Sequence, residues 1–139
     1  MGKRPLRWVA AALLLASGAA MAQPAAAPTL TAMRAVAPGN WSLRVPGSAE
    51  AARPSCFADT SVFLRLRLRN AQCSRFVIED SARLSTVHYT CPGIGHARTT
   101  VHVDTPRSLR IESEGIVDGM PFADMYEARR VGNCGRARR

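Results

Sequence analysis

The stretch TVHYTCPGIGHARTTVHV, residues 86–103, decides the fold. Val87, Tyr89 and Cys91 alternate with polar residues on one side of Pro92-Gly93-Ile94-Gly95, and Thr99, Val101 and Val103 do the same on the other. A core-facing residue at every second position is the signature of a half-buried strand. Proline presets φ at one turn position and glycine supplies the positive φ that another needs. The stretch therefore reads as two strands around a hairpin loop. Its glycines do not make a nucleotide-binding fingerprint, because they open no helix and no crossover unit follows.

The hairpin reading assigns faces. If Val87, Tyr89, Val101 and Val103 share the core side, then Thr86, His88 and Thr90 share the other with Thr100, His102 and Asp104. His88 and His102 then lie side by side or diagonally, with His96 at the loop. With Asp104 these imidazoles are a candidate divalent-metal set, and the alternative function is a metal-binding or hydrolytic protein using His88, His96 and His102. A polar, solvated sheet face is the plainer expectation. Glu112 and Glu114 alternate along a strand in the same solvated manner. No G-x-S-x-G motif occurs, and no serine or thiol has a base partner at a known spacing. No catalytic residue and no cofactor is therefore assigned.

Working outward, further strand patterns follow in series. RFVIED offers Phe76 and Ile78, SLRIESEG offers Leu109 and Ile111, and NWSLRVPG alternates Trp41, Leu43 and Val45 with Ser42 and Arg44. MPFADMYEARRVGNC closes the series. VFLRLRLRN has the sharpest period of two, with Val62, Leu64, Leu66 and Leu68 on one side and Arg65, Arg67 and Arg69 on the other. That period predicts a strand over 62–68, although Asp59 in ADTS is placed to cap a helical turn there. The expected fold is mainly β: an antiparallel meander forming a twisted sheet or open barrel, with room for one short helix.

The chain starts with Lys3, Arg4 and Arg7, an apolar run from Trp8 to Ala16, and small residues ending in Ala20-Met21-Ala22. This order is that of a secretory signal peptide cleaved after Ala22. The run is too short to span a bilayer core, which takes about 20 apolar residues. The expected organisation is a signal peptide (1–22), a flexible Ala/Pro-rich lead-in (23–38), a single domain (39–134) and a basic tail (135–139). The expected location is the periplasm or beyond, by Sec-type export from a bacterium.

Export puts Cys56, Cys73, Cys91 and Cys134 in an oxidising compartment, where thiols pair. Four cysteines allow three pairings, and spacing alone does not choose among them. Cys73 and Cys91 border one hairpin while Cys56 and Cys134 sit towards the domain ends, which favours Cys73 with Cys91 and Cys56 with Cys134. No C-x-x-C or H-x-x-x-H pair suggests zinc.

The whole chain carries a formal net charge of +9. Past residue 22, 16 arginines stand against 10 acids, so the balance is 16 − 10 = +6. Arg65, Arg67 and Arg69, with Arg136, Arg138 and Arg139 in the tail, are candidate contacts for an anionic group. Aromatics interleaved with the arginines for base stacking are absent, so nucleic acid is not an expected partner.

Gly39 and Trp41 in PGNW, the four cysteines with the third in YTCPGIG, and Gly132 two residues before Cys134 in GIVDGMPFADMYEARRVGNC together resemble the exported bacterial proteins grouped as domain of unknown function 3617. The likeness, closest to sphingomonad-type members, covers roughly residues 38–134. It implies a secreted β-rich domain without an established activity. It also implies a helical turn after the first cysteine. The functional expectation is a non-catalytic binding or interaction domain of the envelope. Its partner would be a small apolar or anionic ligand, or another envelope protein, with Trp41, Phe76, Tyr89, Phe122 and Tyr126 as candidate pocket residues.

Overall fold

The computed structural model of the chain describes residues 28–50 and 53–135. The expected signal peptide, the start of the lead-in and the arginines of the tail lie outside the described residues. Seven strands form one antiparallel sheet: β1 (Gly39–Arg44), β2 (Ser55–Phe57), β3 (Ser74–Asp80), β4 (Leu84–Cys91), β5 (Gly95–Thr105), β6 (Ser108–Val117) and β7 (Met120–Gly132). Their order is β2-β1-β7-β6-β5-β4-β3. The last five are a meander, as the strand series predicts, and β1 pairs with the final strand. The sheet is open, with β2 and β3 as its edges.

Turn chemistry sets the register. Cys91 pairs with Gly95 across Pro92-Gly93-Ile94, with Gly93 at φ 75° and the Ile94 amide donating to the Cys91 carbonyl at 3.0 Å. Val117 pairs with Met120, leaving Asp118-Gly119 as a two-residue loop with φ 53° and 75°. Asp-Gly tolerates two successive positive φ values, which suits the right-handed twist of the flanking strands. In the resulting register Val87, Tyr89, Val101 and Val103 are all buried on the inner face. Thr99 and Ser113 share that face and pair their hydroxyls at 2.7 Å, so this buried polar couple is satisfied.

Consecutive elements β2 and β3 occupy opposite edges, so the chain between them must cross the sheet. It does so as a 3-10 helical segment, Thr60–Leu68, not as the strand that the alternation over 62–68 predicts. Asp59 caps its start by accepting from the Ser61 amide at 2.9 Å. Arg65 breaks the run at φ −142°, ψ 40°, dividing it in two. Phe63, Leu64 and Leu68 are buried on the inner face, joined by Trp41, Phe57, Val87, Leu109 and Ile111.

The lead-in also differs from expectation. Residues 31–34 form a short helix, α1 (Thr31–Arg34), and Leu30, Ala32, Met33 and Val36 are buried in the core. This stretch lacks a long period because four apolar side chains within seven residues suffice to dock one turn. Leu30 at the N-cap has no side-chain acceptor, and Asp80 of β3 takes that role. Its carboxylate accepts from the Thr31 amide at 2.8 and 2.9 Å and from the Ser85 hydroxyl at 2.9 Å. Burial opposes ionisation of Asp80, but these hydrogen bonds outweigh it and hold the carboxyl below the usual carboxylate range.

Asp80→Ala is expected to cost about 1 kcal/mol at neutral pH, the size of a lost N-cap. A lowered folded pKa contributes stability that is present above the unfolded value of 3.8 and lost as pH falls through the folded one. Urea titrations of both proteins should therefore differ at pH 7 and converge in acid. A gap that persisted unchanged in acid would assign the loss to packing.

Two disulfides brace the sheet: Cys56–Cys134 and Cys73–Cys91, at sequence separations of 78 and 18. The second ties the entry of β3 to the end of β4. The first ties edge strand β2 to the end of β7 across β1, whose Asn40 pairs with both Cys56 and Gly132.

Candidate functional site

The three arginines of the crossing segment each lie over an aromatic ring. Arg65 stands 5.7 Å from the Tyr89 centroid, Arg67 5.1 Å from Phe122 and Arg69 5.4 Å from Phe57. The stems cover apolar surface while each guanidinium faces a ring quadrupole. Leu64 and Leu68 are buried beneath the segment while Arg67 and Arg69 stay exposed, so its two sides remain distinct.

Their roles then diverge, and they do not form the single cationic strand face expected of them. Arg65 donates through Nη2 to the carbonyls of Leu68, Arg69 and Ala71 at 3.1, 3.0 and 2.9 Å, closing the end of the segment. Arg67 makes a two-pronged pair with Asp124 of β7, Nε to Oδ2 at 2.5 Å and Nη2 to Oδ1 at 2.9 Å. That bond holds the Asp124 carboxyl below its ordinary range against the effect of burial. Burial, and then the Asp124 charge, push the Tyr126 hydroxyl up, so it stays protonated beside that carboxylate. Arg69 is exposed beyond the ring that it covers.

Between the crossing segment and strands β2, β1 and β7 lies an open cleft of about 450 Å³. Leu43, Val45, Phe57, Leu66 and Tyr126 supply its apolar surface. Arg53, Arg67 and Arg69 supply positive charge around it, offset in part by Glu50 and Asp124. Arg67 is neutralised by its partner, which leaves the exposed guanidiniums of Arg53 and Arg69 as the cations best placed to meet a ligand. Chemically the arrangement can hold an apolar body and an anionic group together.

The five candidate pocket aromatics do not converge. Trp41 and Tyr89 fill the core, Phe122 lies beneath Arg67, and Phe76 is 68% exposed on the outer face opposite His88. Tyr126 alone of them lines the cleft. Phe57 and Arg53 were missed, because they reach the cleft only through long-range ties, the pairing of β2 with β1 and the Cys56–Cys134 bond. The available signal was their position beside the first cysteine.

The histidines divide as well. His88 stacks on His96, centroids 5.4 Å apart, diagonally across β4 and β5. His88 pairs with Arg98, whereas His102 pairs with Leu84, four residues along β4 and so about 13 Å away. Asp104 is engaged by Arg110 at 3.0 Å, and that hydrogen bond lowers its pKa. Among the described residues, no three His, Cys, Asp or Glu side chains are grouped to hold a metal. Glu112 and Glu114 stand with Arg98, Thr100 and Met125 around a smaller outer-face groove of about 380 Å³, a mixed-charge solvated surface.

Among the described residues no helix is long and apolar enough to cross a membrane. No protein-family model, no curated protein and no solved structure matches the chain.

Proposed function

We propose that the protein is an exported, non-catalytic binding domain of the bacterial envelope whose cleft beside β1, β2 and β7 takes an amphiphile with an anionic group. The observation that carries this reading is the combination in one cleft of an apolar lining with the exposed guanidiniums of Arg53 and Arg69. Pockets of a few hundred Å³ with few, placed polar groups suit small ligands, and guanidinium suits carboxylate and phosphate. The two disulfides are compatible with export, and the signal-like N-terminus supports it.

The test is calorimetric titration of the disulfide-bonded protein, purified from a bacterial periplasm, with dodecyl phosphate and with neutral dodecyl maltoside below their micellar concentrations. The double variant Arg53→Ala, Arg69→Ala is expected to bind the phosphate about tenfold more weakly, the worth of a lost charge-assisted hydrogen bond. It should bind the maltoside as the parent does. Equal phosphate binding by parent and variant, or no binding of either amphiphile to the parent, would reject the proposal.

A further inference from the structure

The sheet has two edges and they are unlike. Edge β2 is three residues long, whereas edge β3 runs for seven residues. Its centre exposes three consecutive apolar side chains, Phe76 at 68%, Val77 at 37% and Ile78 at 45%. An exposed strand edge offers unpaired backbone donors and acceptors, a template for another strand.

The sequence of β3, SRFVIED, is complementary to itself when reversed. Counted residue by residue, antiparallel pairing about Val77 places Val77 beside Val77, Phe76 beside Ile78 and Arg75 beside Glu79. The register shift between Val77 and Glu79 makes Ile78 an extra residue in the ladder to β4. Asp80 therefore shares the inner face with Arg75, and Phe76 shares the outer face with Glu79. With Ile78 set aside as the extra residue, Arg75 meets Asp80 on the inner face across the two-fold pair, and Glu79 stands on the other face. Arg75 is anchored at the sheet's rim through one nitrogen, Nη2, which donates to the Pro28 carbonyl at 2.8 Å.

We infer that a second copy of this chain pairs on β3, forming a two-fold dimer in which two seven-stranded sheets become one. Such an interface is isologous, each residue meeting its counterpart's complement. Opposite charges and apolar pairs across strands favour this register. The cleft beside β2 lies at the other end of the sheet, so dimer formation and amphiphile binding can fail independently.

Sedimentation velocity across a concentration series should show a monomer–dimer equilibrium. Arg75→Glu should shift it at least tenfold towards monomer. Val77→Cys, which sets one new thiol against its own copy, should give a covalent dimer under mild oxidation, whereas Ser108→Cys on β6 should not. A protein that stays monomeric at hundreds of micromolar, or a dimer indifferent to Arg75→Glu, would overturn the inference. Melting curves of each variant separate loss of pairing from loss of fold.

Discussion

Replacing Cys56 and Cys134 together by alanine is expected to lower the free energy of unfolding by about 4 kcal/mol, and the Cys73, Cys91 pair by about 3. The ordering follows from loop length. Joining residues 78 apart removes more freedom from the unfolded chain than joining residues 18 apart. Domains of this size hold about 5–15 kcal/mol in all, so losing both bridges should leave little folded protein at 37 °C. The longer bridge also has a structural role, because β2 pairs with β1 through three residues only. Its loss should release β2 and with it Phe57, the ring beneath Arg69 in the cleft. Urea unfolding of the two double variants without reductant, followed by circular dichroism, tests the order. A larger loss for the Cys73, Cys91 pair would show that packing of the buried Cys91 side chain outweighs chain entropy.

How much of this was legible before the structure depends on how local each determinant is. The hairpin around Pro92 and Gly93 was readable because turn residues and a period of two agree over eighteen consecutive positions. The pairing of Cys73 with Cys91 followed from the preceding hairpin, whose two strands those cysteines border, and that of Cys56 with Cys134 from their places towards the domain ends. Residues 62–68 were misread because alternation of leucine with arginine marks a buried and an exposed side without fixing the backbone, and a capped 3-10 segment lying on the sheet meets that pattern too. Asp59 was the better guide: a side-chain cap is a local hydrogen bond, and it forms. The lead-in was misread for the opposite reason, since α1 depends on an acceptor from β3, 49 residues away.

The cleft is less legible still. Leu43, Arg53, Leu66 and Tyr126 come from four separate parts of the chain and meet only because β1 crosses back to pair with β7. The same topology forces the chain to cross the inner face after β2. One connection therefore supplies the core residues Phe63, Leu64 and Leu68 and the cleft residues Leu66, Arg67 and Arg69. Stability and binding are coupled through that segment: loosening its core side should also displace the guanidiniums on its exposed side.

Trp41 is where that coupling should be most visible. Its side chain is fully buried in β1, its Nε1 donates to the Ala37 carbonyl at 3.1 Å, and its ring meets Phe63 edge-on at 5.1 Å. Phe63 in turn packs at 4.8 Å against Phe57. One side chain thus joins the segment after α1, the sheet and the crossing segment. Trp41→Ala is expected to cost about 3–5 kcal/mol, the range for a large aromatic removed from a packed core. Trp41→Phe retains most of the ring contact but leaves the Ala37 carbonyl without its donor, and should cost about 1–2 kcal/mol. Urea titrations of both variants, with near-ultraviolet circular dichroism reporting the Phe63 and Phe57 environment, measure the two contributions separately. If Trp41→Ala cost less than about 1 kcal/mol, the crossing segment would have to be held by Leu64 and Leu68 alone. If it cost the full amount, dodecyl phosphate binding should weaken in the surviving folded fraction, because the segment that Trp41 seats is the one that carries Arg69 into the cleft.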